Sequence, residues 1–247
     1  MSSAFDAIPA APLRRPNTYV LIADSIISLI QSQRLKPGDP IPTERELMER
    51  FGTGRSSVRE AIRVLESKSV IHGDRNGFFV ADVHAALSDS FQLVMRLTGG
   101  TMRDLMELRR ILEVESSRTA ARRRTEADIC ALREVNQSWE AAVLAIGDDS
   151  AVERAADADL AFHIRIAEIA GNSMVVVAMQ AMRVVANRTY HTSIAVPSIR
   201  SEIGGQHERI VEAIADGDET AATAAMNDHL LYVEEQLGEL TDRPLYE

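Results

Sequence analysis

Apolar residues recur at spacings of three and four along most of the chain, and alternation at a period of two is confined to one short stretch. The first periodic face holds Val20, Ala23, Ile26, Ile27 and Ile30, which predicts a helix from about Thr18 with Asn17 as its N-cap. Leu35 to Pro42 reads LKPGDPIP, and three prolines with a glycine end any helix there. Thr43 with Glu46 three residues later forms a capping box, so a second helix starts at Glu44. Phe51-Gly52-Thr53-Gly54 stops it, with Gly52 where a positive φ is wanted.

A third helix is expected from about Arg55 to Lys68. Val58, Ala61, Ile62 and Leu65 form its inner stripe, and Arg55, Arg59 and Arg63 repeat at four on another face. Two short strands follow, Val70-Ile71-His72 and Phe78-Phe79-Val80. Gly73-Asp74-Arg75-Asn76-Gly77 joins them, with Asn76-Gly77 as a hairpin signal. Helix, short helix, turn, helix and hairpin in this order predict a winged helix-turn-helix. Its third helix can lie in the major groove of DNA and its hairpin tip can reach the neighbouring groove or backbone. Arginine suits that task because its planar fork pairs bidentately with guanine O6 and N7. The plainer role for Arg45, Arg55 and Arg59 is a solvated pairing with glutamates such as Glu49.

From about His84 onward the period is helical throughout. Segments near 84–98, 101–123, 126–146, 150–170, 173–191, 200–216 and 219–240 are separated by glycines, by Thr125 and by a loop at Pro197. Thr101 with Asp104, Thr125 with Asp128, and Ser173 are the N-cap candidates. The fold class is therefore mostly α: the winged module followed by an all-α antiparallel bundle. The domains expected are an arm at 1–16, the winged module at 17–82, the bundle at 83–240 and a tail at 241–247.

Composition narrows the class. The chain has 247 residues, 45% apolar and 26% charged, which excludes a disordered chain. Aromatics are only 4%, so the core must rest on aliphatic side chains, as packed helices allow. The single cysteine, Cys130, excludes an intrachain disulfide and any multi-cysteine metal site. The longest uncharged apolar run, Met174 to Met182, is too short to cross a bilayer, and the N-terminus lacks the pattern of a secretion signal. A cytoplasmic protein with no membrane partner is expected. Residues 14–80 hold 11 basic and 8 acidic side chains, whereas the whole chain has a net charge of −10. A mildly basic head on an acidic body suits a module that binds a polyanion.

Among six histidines, four-residue spacing puts Asp159 and His163 on one helix face, and His207 and His229 lie on two later helices. A carboxylate and three imidazoles converging inside a bundle suit Zn²⁺, Ni²⁺, Mn²⁺ or Fe²⁺, with a position left for water or a ligand atom. Spacing alone is equally compatible with satisfied core or surface histidines. His84 and His191 fit no such pattern and read as surface residues.

The run PGDPIPTERELMERFGTGRSSVREAIRVLES resembles the DNA-binding signature of the GntR family of bacterial transcription regulators. The likeness implies that Arg45, Arg55 and Arg59 contact DNA, that Thr43, Ser56 and Ser57 add phosphate or base contacts, and that Gly77 approaches DNA in the wing. Two positions depart from the family pattern. Gly54 stands where the family has a serine N-cap, and Ser69 stands where it has a glycine before the wing. The later segments Asp159 to His163, Ala170-Gly171-Asn172, Gln206 to Ile210 and Met226 to Leu230 resemble the FCD ligand-binding domain of the FadR subgroup. That likeness implies a divalent metal on Asp159, His163, His207 and His229. Glu107-Leu108-Arg109 with Glu113 is similar to the domain's opening helix, whose arginine faces an effector.

The reading is a cytoplasmic, homodimeric, metabolite-responsive regulator and not an enzyme. It binds a palindromic operator and a small organic acid, with Arg109 and, from a later helix, Arg183 and Asn187 gripping the acid. Repression with release on effector binding is what the family likeness implies. Two alternatives are a bundle metalloenzyme with an accessory DNA-binding head and a metal-free regulator of the acyl-CoA-binding kind. The first would need a positioned general base, and none stands out.

Overall fold

The computed structural model describes residues 17–145, 147, 149–182, 197–238 and 241. The chain divides into two compact units, Met1–Ala86 and Leu87–Glu247.

The first unit contains α1 (Thr18–Gln31), α2 (Glu44–Phe51), α3 (Arg55–Ser67), β1 (Ile71–Asp74) and β2 (Gly77–Val80). Its core joins Ile22, Ala23 and Ile26 of α1 to Val58, Ala61, Ile62 and Leu65 of α3, closed by Leu47, Ile71 and Val80. The buried stripe of α1 is thus centred on Ile22, while Val20 is half-buried. Asn17 begins α1 without a side-chain cap, contrary to expectation. Thr43 does close the capping box of α2: its hydroxyl accepts from the Glu46 N–H, and the Glu46 carboxylate accepts from the Thr43 N–H at 2.8 Å.

Helix α1 ends before the proline turn. Gln33 takes φ +56°, its N–H donates to the Ile30 carbonyl and the Arg34 N–H donates to Leu29, which is a Schellman ending. The same ending closes α3: Ser69 takes φ +54°, the Ser69 N–H donates to Glu66 and the Val70 N–H donates to Leu65. A glycine is favoured at such a position because it has no Cβ to crowd the carbonyl.

The proline-rich turn also extends the wing. The Gly38 N–H donates to Val80 at 2.9 Å, the Ile41 N–H donates to Phe78 at 2.9 Å, and Pro40 bridges Phe79 antiparallel. Pro40 has no N–H to offer, which an edge position tolerates. The β1–β2 register pairs Ile71 with Val80 and Asp74 with Gly77, so both strands are longer toward the tip than expected. The central turn residues are Arg75 and Asn76, neither at positive φ, and Gly77 follows with φ +139°. Asp74 Oδ1 accepts from the N–H groups of Asn76 and Gly77, which pins the tip.

The second unit is the expected antiparallel bundle. After α4 (Val83–Thr98) come α5 (Met102–Arg123), α6 (Glu126–Leu144), α7 (Asp149–Ala170), a helix over 173–182 (α8), α9 (Pro197–Asp216) and α10 (Glu219–Leu237). Helix α5 packs on α7, α9 and α10, and α6 packs on α7 and α9. Leu105, Met106, Phe162, Ile166, Ile210, Ile214, Met226 and Leu230 fill the space between them. Thr101 and Thr125 are N-caps as expected, and each closes a full capping box, with Asp104 and Asp128. Ser173 does not cap α8; the preceding Asn172 does, its Oδ1 accepting from the Met174 N–H at 3.1 Å. Pro197 opens α9 and is not in a loop, as the first helical position permits a residue without an N–H.

At the end of α5, Arg123 and Arg124 donate to the last carbonyls of two other helices, Ala170 and Ala215. A cation at a helix C-terminus is favoured by the exposed carbonyl dipoles. Gly217, at φ +75°, lies under the Arg124 guanidinium, where a Cβ would come within 2.6 Å of it.

Candidate functional site

Two groups of residues hold the chemistry, one in each unit. In the first, α2 and α3 present the three arginines to solvent, with side chains 85%, 72% and 60% exposed for Arg45, Arg55 and Arg59. Arg55 Nε lies 3.6 Å and Arg59 Nε 3.3 Å from the two oxygens of Glu44. Glu44 therefore holds both guanidinium groups at the start of α3, while Arg45 approaches Glu49 at 4.0 Å. Exposed pairs of this kind are worth about 0–1 kcal/mol, so a phosphate or guanine can displace the carboxylate. The role of Glu44 was not read from the sequence; its position at N1 of α2 is the only signal there.

Ser56 is exposed and Ser57 half-buried in the first turn of α3, where Gly54 gives no side-chain cap. Thr43 commits its hydroxyl to Glu46, to which it also donates at 2.8 Å. Gly77 sits at the base of the wing tip, so the residues at the tip itself are Arg75 and Asn76.

In the bundle, His163 from α7, His207 from α9 and His229 from α10 are each 2% exposed or less. One ring nitrogen from each falls within 4.8 Å of the others. Phe162 stacks on His207 at 4.2 Å, and the Trp139 ring lies against the same imidazole at 4.7 Å. The predicted carboxylate stands beside the cluster: Asp159 Oδ1 is 3.5 Å from His207 Nε2 and Oδ2 is 3.8 Å from His163 Nε2.

The outer contacts orient one ring and flank a second. His229 Nδ1 lies 3.0 Å from Gln206 Oε1, which makes Nδ1–H the donor and leaves Nε2 as a lone-pair ligand. His163 Nδ1 lies 2.7 Å from Glu113 Oε2, close but poorly aligned for a directional hydrogen bond. Glu113 in turn accepts from Arg109 Nε at 2.7 Å and from Nη2 at 3.5 Å. Arg109 is thus not a surface residue: its side chain is 12% exposed and that of Glu113 is 3% exposed.

Electrostatics follow from burial and these neighbours. Burial alone would raise the Glu113 carboxyl, yet Arg109 and His163 beside it hold it far below the usual carboxylate range. Burial pushes Asp159 upward, against the opposing pull of His163 and Arg109. His207 and His229 are held well below the ordinary imidazole value, chiefly by burial and then by the positive charges nearby. Both are neutral near pH 7, the form a metal requires.

The donor set fits a divalent cation. Among the described residues, His163 Nε2 and both ring nitrogens of His207 are buried with no hydrogen-bond partner. A buried polar group left so costs about 1–3 kcal/mol, and a cation on imidazole lone pairs removes that cost. Gln206 stands in one family-like segment and Glu113 in another, on α5, but their contacts with the imidazoles emerge only from the packing. Arg183 and Asn187, and also His191, lie outside the described residues. His84 is exposed on α4.

Comparison with known proteins gives the family. Residues 18–80 match "Bacterial regulatory proteins, gntR family", and residues 104–232 match the FCD domain. The chain is 30% identical over 237 residues to the Glc operon transcriptional activator of Escherichia coli K12, covering 92% of this chain and 91% of that one. It is 30% identical over 240 residues to the Uxu operon transcriptional regulator of the same strain, covering 94% and 91%. A solved structure, Streptococcus agalactiae GntR, superposes with a TM-score of 0.62 at 25% identity, covering 88% of this chain and 99% of that one. The described residues contain no helix long and apolar enough to cross a membrane. A winged head whose arginines face outward, followed by a bundle that gathers three histidines, thus belongs to a DNA-binding transcription regulator of the GntR family with an FCD domain, not to an enzyme.

Proposed function

We propose that this regulator reads a palindromic operator as a homodimer, holds one divalent metal in its bundle, and changes operator affinity when a small carboxylate binds beside that metal. In this reading residues 17–82 are the DNA-binding module and 83–240 the effector and dimer module. The observation that carries the metal is the set of buried, unpartnered nitrogens on His163 and His207, within reach of His229. Asp159, His163, His207 and His229 are the ligands. Zn²⁺ suits them best, since three imidazoles and one carboxylate match its usual donors. The bound ion would supply a positive charge and an open position for an anionic oxygen.

This chain's own residues do the rest. Glu113 lies against His163 and anchors Arg109 through Nε and Nη2, and among the described residues no hydrogen bond engages Nη1, which is left to meet an acid at the cluster. Arg183 and Asn187 are proposed as further grips on the acid. On the head, Arg45, Arg55 and Arg59 read bases or phosphates, with Thr43, Ser56, Ser57 and Gly77 nearer the backbone.

The dimer is supported by α4. Leu87, Leu93, Val94 and Leu97 are between 39% and 77% exposed on this one helix, and 87, 94 and 97 share a seam at coiled-coil spacing. A second copy supplies the matching stripe, and two-fold symmetry then mirrors a palindrome. Effector binding is proposed to weaken operator affinity, the direction of a repressor. An acid shifts that affinity only by its preference between two arrangements of the heads.

The test combines operator binding with metal content. Arg55→Ala and Arg59→Ala should each weaken operator binding by about 1–3 kcal/mol and relax one base preference. The purified chain should be dimeric by light scattering and carry about one divalent metal per chain, lost in His207→Ala. Unchanged affinity and selectivity in both arginine variants reject the reading helix, and full metal retention in His207→Ala rejects the ligand set.

A further inference from the structure

A groove of about 670 Å³ runs between α6 and α9, lined in part by Trp139, whose ring also contacts His207. Its volume is that of a small-molecule site. Trp139, Val143 and Leu144 give it an apolar wall, and Glu140 and Glu208 give it two carboxylates. The floor is bare backbone: Gly204 and Gly205 stand in the interior of α9, where each glycine costs about 1 kcal/mol relative to alanine. At Gly204 the reason is visible, because a Cβ would come within 3.3 Å of the Trp139 ring. Asn136, 2% exposed, donates to Glu208 Oε2 at 3.3 Å, and its own Oδ1 is buried with no donor. The polar groups at this end are therefore acceptors, beside the Trp139 ring.

We propose that this groove is a second ligand site, separate from the histidine cluster, for a small organic cation: a protonated amine on an apolar body. An ammonium brings a positive charge to Glu208 and Glu140 and further donors for their oxygens beyond the one Asn136 gives Glu208, beside the indole ring. Its apolar body lies on Val143 and Leu144. Arg200, also in the groove, stands eight residues before Glu208, about 12 Å along the helix. The positive side chain thus marks the opposite end and leaves the carboxylate end to the amine. One indole touches both the groove and His207, so an occupant sits a single ring away from the histidines.

Trp139 is the only tryptophan in the chain, so its emission reports on this groove without a label. The experiment titrates the full-length protein with phenethylamine, with and without a chelator, and repeats it with phenylacetate, which has the same ring and opposite charge. Phenethylamine should shift or quench the emission saturably in both conditions, and phenylacetate should not. Glu208→Gln, which keeps an acceptor for Asn136, should weaken phenethylamine at least about tenfold, the effect of losing one charged partner. The double variant Glu140→Gln/Glu208→Gln should abolish the response. The proposal is overturned by no saturable change up to about 10 mM, by an equal response to phenylacetate, or by loss of the response with chelator. An unchanged affinity in the folded double variant overturns it as well.

Discussion

Glu113→Gln is the substitution that most directly probes how the histidine cluster is held. The wild-type carboxylate is 2% exposed and faces two cationic or donor groups, Arg109 Nε at 2.7 Å and His163 Nδ1 at 2.7 Å. Glutamine preserves the shape and one acceptor oxygen but turns an amide N–H₂ toward one of those neighbours. Breaking a buried ion pair on one side leaves a desolvated charge and costs about 3–5 kcal/mol. For a unit of this size each kcal/mol moves the unfolding midpoint by about 2–4 °C, so the midpoint should fall by about 6–20 °C. Circular dichroism melts of the metal-free, full-length chain measure this. Because Glu113 also lies 2.7 Å from the ring of a proposed ligand, His163, zinc affinity should drop by about 10–100-fold, read by competition with a chromogenic chelator. Removing both charges with Arg109→Met and Glu113→Leu should cost less than Glu113→Gln alone, since no unpaired ion remains buried. A single variant that melts within about 2 °C of the parent and binds zinc as tightly would refute the reasoning.

The remaining predictions concern backbone and pH. Ser69→Gly should stabilise the winged module by about 0.5–1 kcal/mol, because Ser69 occupies φ +54° at the C-terminus of α3. Urea titration checks it, and a destabilised variant would mean the hydroxyl matters more than the strain. In the metal-free protein, His207 and His229 have lowered pKa values in the fold. As pH falls through about 6.5 the unfolded chain takes up protons that the fold refuses, so stability should decline. Asp159, raised by burial, acts in the opposite sense: its contribution is full below the ordinary carboxylate value of about 3.9 and is lost as pH rises through its raised folded value, so the scans are made in the Asp159→Asn background. Thermal scans between pH 8 and pH 5.5 should show a falling midpoint; a flat profile contradicts the burial argument.

Much of the architecture was legible in local signals. N-caps at Thr43, Thr101 and Thr125 formed where read, because each needs only residues three apart. The inner stripe of α3 was legible for a related reason: one face must meet a core. Errors cluster where a local rule had a competitor. Asn76-Gly77 signals a tight turn, but Asp74 captures the neighbouring N–H groups and moves the tip to Arg75 and Asn76. Ser173 resembles a cap, but Asn172 already supplies the oxygen.

Read from the chain alone were the order and type of elements and the positions of the arginines on the head, while the candidate ligands Asp159, His163, His207 and His229 came from a family resemblance. Those properties depend on periodicity, on capping chemistry and on motifs that are continuous in the chain. Packing alone sets Glu44 between two arginines of the next helix, Glu113 between Arg109 and His163, and Gln206 against Nδ1 of His229. It alone showed imidazole nitrogens enclosed without partners. Burial and pairing arise when helices far apart in sequence pack together, and no spacing along one helix specifies which side chains of another will face it.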